Sequence, residues 1–294
     1  MLNLIRMNLY RMLHTKSIFI VLLIGTAFGA LAAYMSSVEM EEAPNGVGLT
    51  LEYQDGSTAA DDLKSGFEAG ASDADVNFGI YTDVPELEDG KPAPFMKYFC
   101  SDMAGGILLI FITIATVLYI NGEEKSGFVK NIAGQTKHKC NIFISKLIVM
   151  IGYLLVSMVL YAAAEYAALM IFYNGDMEFC GDILGEALKY IGIEFILYIA
   201  FISGLAMLTT IFKNTTIGIT VGILASCGFA NILTGLINKL IDVDISKYLV
   251  VNNINSVSFG AENKTLILAI IVGIVFNIVY NVAGTMWFTK RDVV

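Results

Sequence analysis

The chain has 294 residues, 56% of them hydrophobic and only 15% charged, where a soluble domain spends about a quarter of its residues on charge. Lys and Arg fall between long apolar runs, the pattern of a chain whose loops alone meet water, and this excludes one large soluble core. The net charge of -9 does not describe the whole molecule, because most of the acid sits in one segment; nothing in it calls for nucleic acid as a partner.

At the N-terminus, Leu2, Ile5, Leu9, Met12 and Leu13 recur at three- and four-residue steps while Asn3, Arg6, Arg11 and His14 take other faces. Residues 1–16 are therefore expected to form an amphipathic helix in the inner interface, its Arg residues near lipid headgroups; a plain charged leader is the alternative. The first span follows at 18–34. Arg6, Arg11 and Lys16 before an apolar run ending at Ala30-Leu31-Ala32 also fit a cleaved signal peptide. The run continues through Ala33 and Tyr34, and a crossing needs about 20 residues, so an intact span is the expectation.

Residues 37–101 hold 14 Asp and Glu against Lys64, Lys91 and Lys97 and must stay in water. Val76 to Tyr81 reads as a strand and Thr58 to Asp61 as a helix start within a small, partly ordered extracellular element. Apolar runs at 103–121, 142–172, 184–212, 215–239 and 264–289 bring the expected total to six. The third and fourth exceed the hydrocarbon thickness and imply tilt or extension past the membrane face. The expected fold is an all-α membrane protein with six transmembrane helices in one domain, 1–294. Eleven of the 18 Lys and Arg, among them Lys125, Lys130, Lys137, Lys139, Lys146 and Lys213, fall on one side. The positive-inside rule puts that side and both termini in the cytoplasm of a multi-pass plasma-membrane protein.

Segment 121–146 mixes charge with Phe128, Val129 and Ile132, an apolar anchor with a charged rim of the kind a docking surface uses; an ordinary positive-inside loop is the alternative. Glu165 and Glu194 lie inside spans three and four, where an unpaired carboxylate costs at least about 2.5 kcal/mol. They read either as pathway or ion-site acids or as packing contacts to Tyr, Ser or Asn. Glu186 and Lys189, three apart, read as a local pair. Gly204, Gly218, Gly222 and Gly228 offer close helix approach, whereas Gly273 and Gly284 read as tolerated by the membrane. Segment 238–264 alternates apolar and polar residues, an interfacial composition or a plain surface loop.

No catalytic residue is assigned, and an enzyme is not expected. The sequence has no G-x-x-x-x-G-K-[ST] loop, no G-x-S-x-G and no H-E-x-x-H. His14 and His138 fall in the cytoplasmic stretches, and the four cysteines form no C-x-x-C pair, so no metal site is expected. The topology puts Cys100 and Cys180 at the outer face, before spans two and four, and makes them the one pair able to form a disulfide; two free thiols is the competing reading.

Three stretches resemble the permease subunit of ABC-2 type ATP-binding cassette transporters. Asn3 to Arg11 looks like that family's N-terminal elbow. Glu123 to Phe128 through Gly134 to Lys137 is similar to its coupling segment, and Phe288 to Asp292 to its closing tail. The resemblance implies that Glu123, Glu124, Lys125, Phe128, Val129 and Lys130 dock in a cleft of a separate cytoplasmic ATPase. ATP and Mg would be bound by that ATPase, and no cofactor by this chain. It further implies a second permease, identical or homologous, a bacterial source, and outward movement of an amphipathic or apolar substrate such as a peptide antibiotic. In that family the region after span five can be re-entrant. The long acidic loop departs from the simplest members and leaves the substrate class open. A self-contained secondary transporter is the alternative; it calls for internal repeats and broken helices near mid-membrane, and neither is visible in the sequence. A membrane-embedded enzyme is third.

Overall fold

A computed structural model of the chain describes residues 1–42, 93–125, 139–173, 175, 177–230, 234, 245–257 and 261–290. Among these residues every regular element is helical: α1 (Leu2–His14), α2 (Lys16–Glu42), α3 (Phe95–Ala104), α4 (Ile107–Lys125), α5 (Cys140–Phe172), α6 (Leu184–Phe212), α7 (Thr215–Ser226), α8 (Val250–Ser256) and α9 (Asn263–Lys290), with 3-10 turns at Gly181–Ile183 and Ser246–Tyr248. Helices α2, α5, α6 and α9 are long and apolar enough to cross a membrane, and α3 with α4 makes a fifth candidate span bent by 54°. Most of the acidic element at 37–101, with its expected strand and helix start, lies outside the described residues. Its first six positions belong to the end of α2.

Helix α1 does not bury the stripe its apolar residues mark. Asn8 and Met12 are buried, whereas Leu2, Leu9 and Leu13 are exposed. The apolar residues thus divide between the bundle and the surroundings, with a polar residue at the protein contact. The helix stops where Thr15 turns extended, its hydroxyl donating to Arg11 O at 2.8 Å, and α2 begins one residue later. Helix α2 lies along α5 and α4. Ala32 and Ala33, at the would-be cleavage site, are buried there.

The bend between α3 and α4 has a local cause. Gly106 has φ 83, and a Cβ on it would stand 2.9 Å from Ser226 O, so both conformation and space demand glycine. A broken helix, absent from the sequence expectations, is therefore present. Helix α7 packs on α4 through Gly218 and Gly222, where a Cβ would meet Val117 and Thr113, the small-xxx-small mode of close approach in membranes. This helix has 12 residues, about 18 Å, too short alone for a hydrocarbon core of about 30 Å. It ends at Cys227 and Gly228, the latter with φ 79. The expected span at 215–239 is thus interrupted, and most of the remainder lies outside the described residues.

The most extensive pairing is α6 with α9, followed by α2 with α5. Glycines shape the packing of α9 on α6 and α5, and two of them are not merely tolerated. Beside Gly204, which sits under the Tyr280 ring, a Cβ on Gly273 would stand 2.9 Å from Ile196 Cγ2, and one on Gly284 would press on the Phe143 ring. Lys189 donates to Asn263 Oδ1 at 3.3 Å and ties the start of α9 to α6. It makes no ion pair with Glu186, which corrects the local pair expected at that spacing. Helix α8 packs on α6, α9 and α3, burying Val250, Val251 and Ile254.

Candidate functional site

Three buried carboxyls gather around α3, the first half of the bent span, in the half of the bundle away from α1. Glu165 on α5 and Glu194 on α6 are each 1% exposed and Asp102 on α3 is 4% exposed. Glu165 lies seven residues before the end of α5, about 10 Å along the axis. Tyr161 OH donates to Asp102 Oδ2 at 3.1 Å, and Tyr198 OH donates to the next residue's carbonyl, Met103 O, at 2.8 Å. Tyrosines from α5 and α6 thereby hold two consecutive residues of α3 just before the glycine break. Glu165 lies close enough to Asp102 for their charges to oppose one another, and the Cys100 thiol lies near both glutamates.

What distinguishes the cluster is its unused capacity. Glu165 Oε2 and both carboxyl oxygens of Glu194 are buried without a hydrogen-bond partner. Buried polar atoms are nearly always paired, so these oxygens are positioned to take up a proton, a cation or water. No three His, Cys, Asp or Glu among the described residues are arranged to hold a metal ion. Near the end of α5, Phe95 packs its ring against Tyr166 at 5.0 Å and Phe179 at 5.5 Å. Backbone bonds from Phe95 N to Glu178 O, 2.9 Å, and Met96 N to Phe179 O, 3.2 Å, fasten α3 to the turn between α5 and α6.

Sequence reasoning placed Glu165 and Glu194 inside their spans and the structure brings both to one site. It missed Asp102, Tyr161 and Tyr198. Asp102 fell between the acidic segment and the expected second span. A lone acid three residues ahead of Gly105-Gly106, at the mouth of an apolar run, was the available signal. The span begins earlier than expected, at Phe95, so Cys100 is buried inside a helix rather than placed before one. Cys100 and Cys180 are free thiols; the two segments do meet, but through backbone bonds and rings rather than a disulfide.

The opposite end of the bundle holds the segment expected to dock a partner. Helix α4 continues through Lys125, so Glu123, Glu124 and Lys125 extend span two by a turn instead of opening a loop; Phe128, Val129 and Lys130 lie outside the described residues. Helix α1 touches both flanks of this segment. Asn8 Nδ2 donates to Ser145 Oγ at 2.7 Å, and Tyr119 OH donates to Asn8 O at 3.3 Å. Two residues past Tyr119, Asn121 is buried with both side-chain amide atoms unpartnered, and Lys146 is buried with its ammonium 5.8 Å from the Phe288 ring centre.

A family model described as protein of unknown function, DUF2705, matches residues 68–294. The chain belongs to this family. The matched stretch of this DUF2705 protein takes in α3 to α9 and with them all three acids, while α1 and the first span precede it. No curated protein matches the chain.

Proposed function

We propose that this DUF2705 protein is the permease of an ABC-2 type exporter. It spans the plasma membrane six times with both termini in the cytoplasm, and it works beside a second permease and cytoplasmic ATPases that bind ATP and Mg. The observation that supports this most is the clasp of Asn8 on Ser145 and of Tyr119 on Asn8. One residue of the interfacial helix joins the helices before and after segment 121–146. A push on that segment would reach α4 and α5 together, as a coupling element requires. The substrate class is an amphipathic or apolar molecule moved outward.

The test is reconstitution. Alone, the purified chain should hydrolyse no ATP; with its ATPase, hydrolysis should drive export. Phe128→Asp should abolish export while membrane insertion is retained. Robust ATP turnover by the isolated chain would overturn the reading.

A self-contained secondary transporter is the second reading, and the site described above favours it. Transporters of that class place coupling-ion sites at discontinuous helices, and Asp102, the acid held by Tyr161, stands just before such a break. Export that persists without any ATPase, driven by an imposed proton gradient and lost in Glu194→Gln, would decide for it.

A further inference from the structure

Away from the acids, α5, α6 and α9 enclose a groove of ≈ 380 Å³ lined by Ile144, Leu147, Ile148, Ile151, Ile199, Ser203, Asn277, Asn281, Val282 and Thr285. Its size falls in the range of about 300–1,000 Å³ typical of small-molecule sites. Asn277 stands at the midpoint of the 28-residue α9, so its amide lies deep in the apolar layer.

The polar residues of the groove form a partly used network. Ser203 Oγ donates to Asn277 Oδ1 at 3.2 Å. Asn281 Nδ2 bonds to Asn277 Oδ1, to Ser203 Oγ at 3.3 Å and to Asn277 O at 2.8 Å. These bonds account for the carbonyl of one amide and the nitrogen of the other. Asn277 Nδ2 and Asn281 Oδ1 are left without a protein partner on half-exposed side chains, a donor and an acceptor side by side. In hydrocarbon neither finds water, so a matched ligand gains both bonds. None of the ten lining residues is charged, which disfavours a phosphate, carboxylate or ammonium head.

We propose that this groove binds an uncharged amphiphile whose hydroxyl or amide head pairs with Asn277 and Asn281 while its hydrocarbon chain lies along Ile148, Ile151 and Val282. Calling that ligand the cargo rests on the permease reading; its binding does not. A neutral head is one that can move across a membrane along protein without shedding a counter-ion.

The test uses the full chain in phosphatidylcholine nanodiscs with a monoacylglycerol carrying a photoreactive diazirine in its chain, read by mass spectrometry of the adducts. Labelling should map to Ile148, Ile151 or Val282 and be competed by unlabelled monoacylglycerol. A fatty acid with the same chain and a charged head should label at least about tenfold less. Asn277→Leu, which keeps the branched shape and removes the amide, and Ile151→Trp, which keeps the amides and fills the groove, should each lower labelling at least about tenfold, the second with the Ser203–Asn277–Asn281 bonds intact and the unfolding temperature unchanged. Equal labelling by the charged probe, indifference to both variants, or adducts that map away from the groove would overturn the proposal. No ATPase is present, so a failure here is separate from a failure of the permease reading.

Discussion

Asn8, a polar residue on an otherwise amphipathic helix, is 1% exposed and donates a 2.7 Å hydrogen bond to Ser145 at the start of α5. The bond joins the N-terminal helix to the far flank of segment 121–146. Removing it leaves Ser145 with its own bond to Ile142 O, so the loss is a single net hydrogen bond of about 0.5–1.5 kcal/mol. Asn8→Ala should lower the unfolding temperature slightly and raise amide exchange in α1 and in the first turns of α5. If the clasp transmits the stroke, ATP-driven export should fall several-fold while ATPase binding is kept.

The packing of α7 on α4 is open to a direct check. A side chain on Gly222 would run into Thr113 and Leu205, and overpacking of this kind costs about 1–3 kcal/mol. Gly222→Val should therefore depress thermal stability in detergent. Gly192→Ala, where nothing lies within 4 Å of the added Cβ, should leave stability unchanged or slightly raised.

The acid cluster separates structure from function through two substitutions. Tyr161→Phe takes the donor from Asp102 Oδ2 and should cost about 1–3 kcal/mol, the usual penalty for leaving a buried acceptor unpaired. Glu194→Gln removes a carboxyl that makes no hydrogen bond in the protein, so stability should be kept or improved. A fall in transport in that variant, with stability intact, marks Glu194 as a working group; unchanged transport would make it a packing residue.

The helical periods and apolar runs made legible the helical character of the described residues and the presence of helices long and apolar enough to cross a membrane, and the depth of Glu165 and Glu194 followed from their place within those runs. The bend at Gly105-Gly106 was not legible, because a glycine pair inside an apolar stretch is compatible with a straight helix. Its break is decided by φ at Gly106 and by the carbonyl of Ser226, 120 residues away in sequence. Asp102 was missed for the same reason: its burial depends on Tyr161 reaching across from α5. The apparent stripe of α1 misled in the opposite direction, since Asn8 is buried by a partner that no local pattern reveals.

Thiol accessibility provides a further check. Cys100 is buried and Cys180 half-buried, both as free thiols. A small alkylating reagent should modify Cys180 in the native protein and Cys100 only after unfolding. Recovery of a Cys100–Cys180 linked peptide after thiol blocking would contradict the arrangement.

The account's central claim is that segment 121–146 hands on the work of a separate ATPase. The most direct measurement places a photocrosslinking amino acid at position 128 in cells that produce the protein and identifies the adducts by mass spectrometry. The account predicts a crosslink to a cytoplasmic polypeptide carrying a G-x-x-x-x-G-K-[ST] nucleotide-binding loop, lost when Phe128-flanking Val129 and Lys130 are both replaced by Asp. Adducts confined to lipid, or to proteins without such a loop, in a protein that is correctly inserted would contradict it.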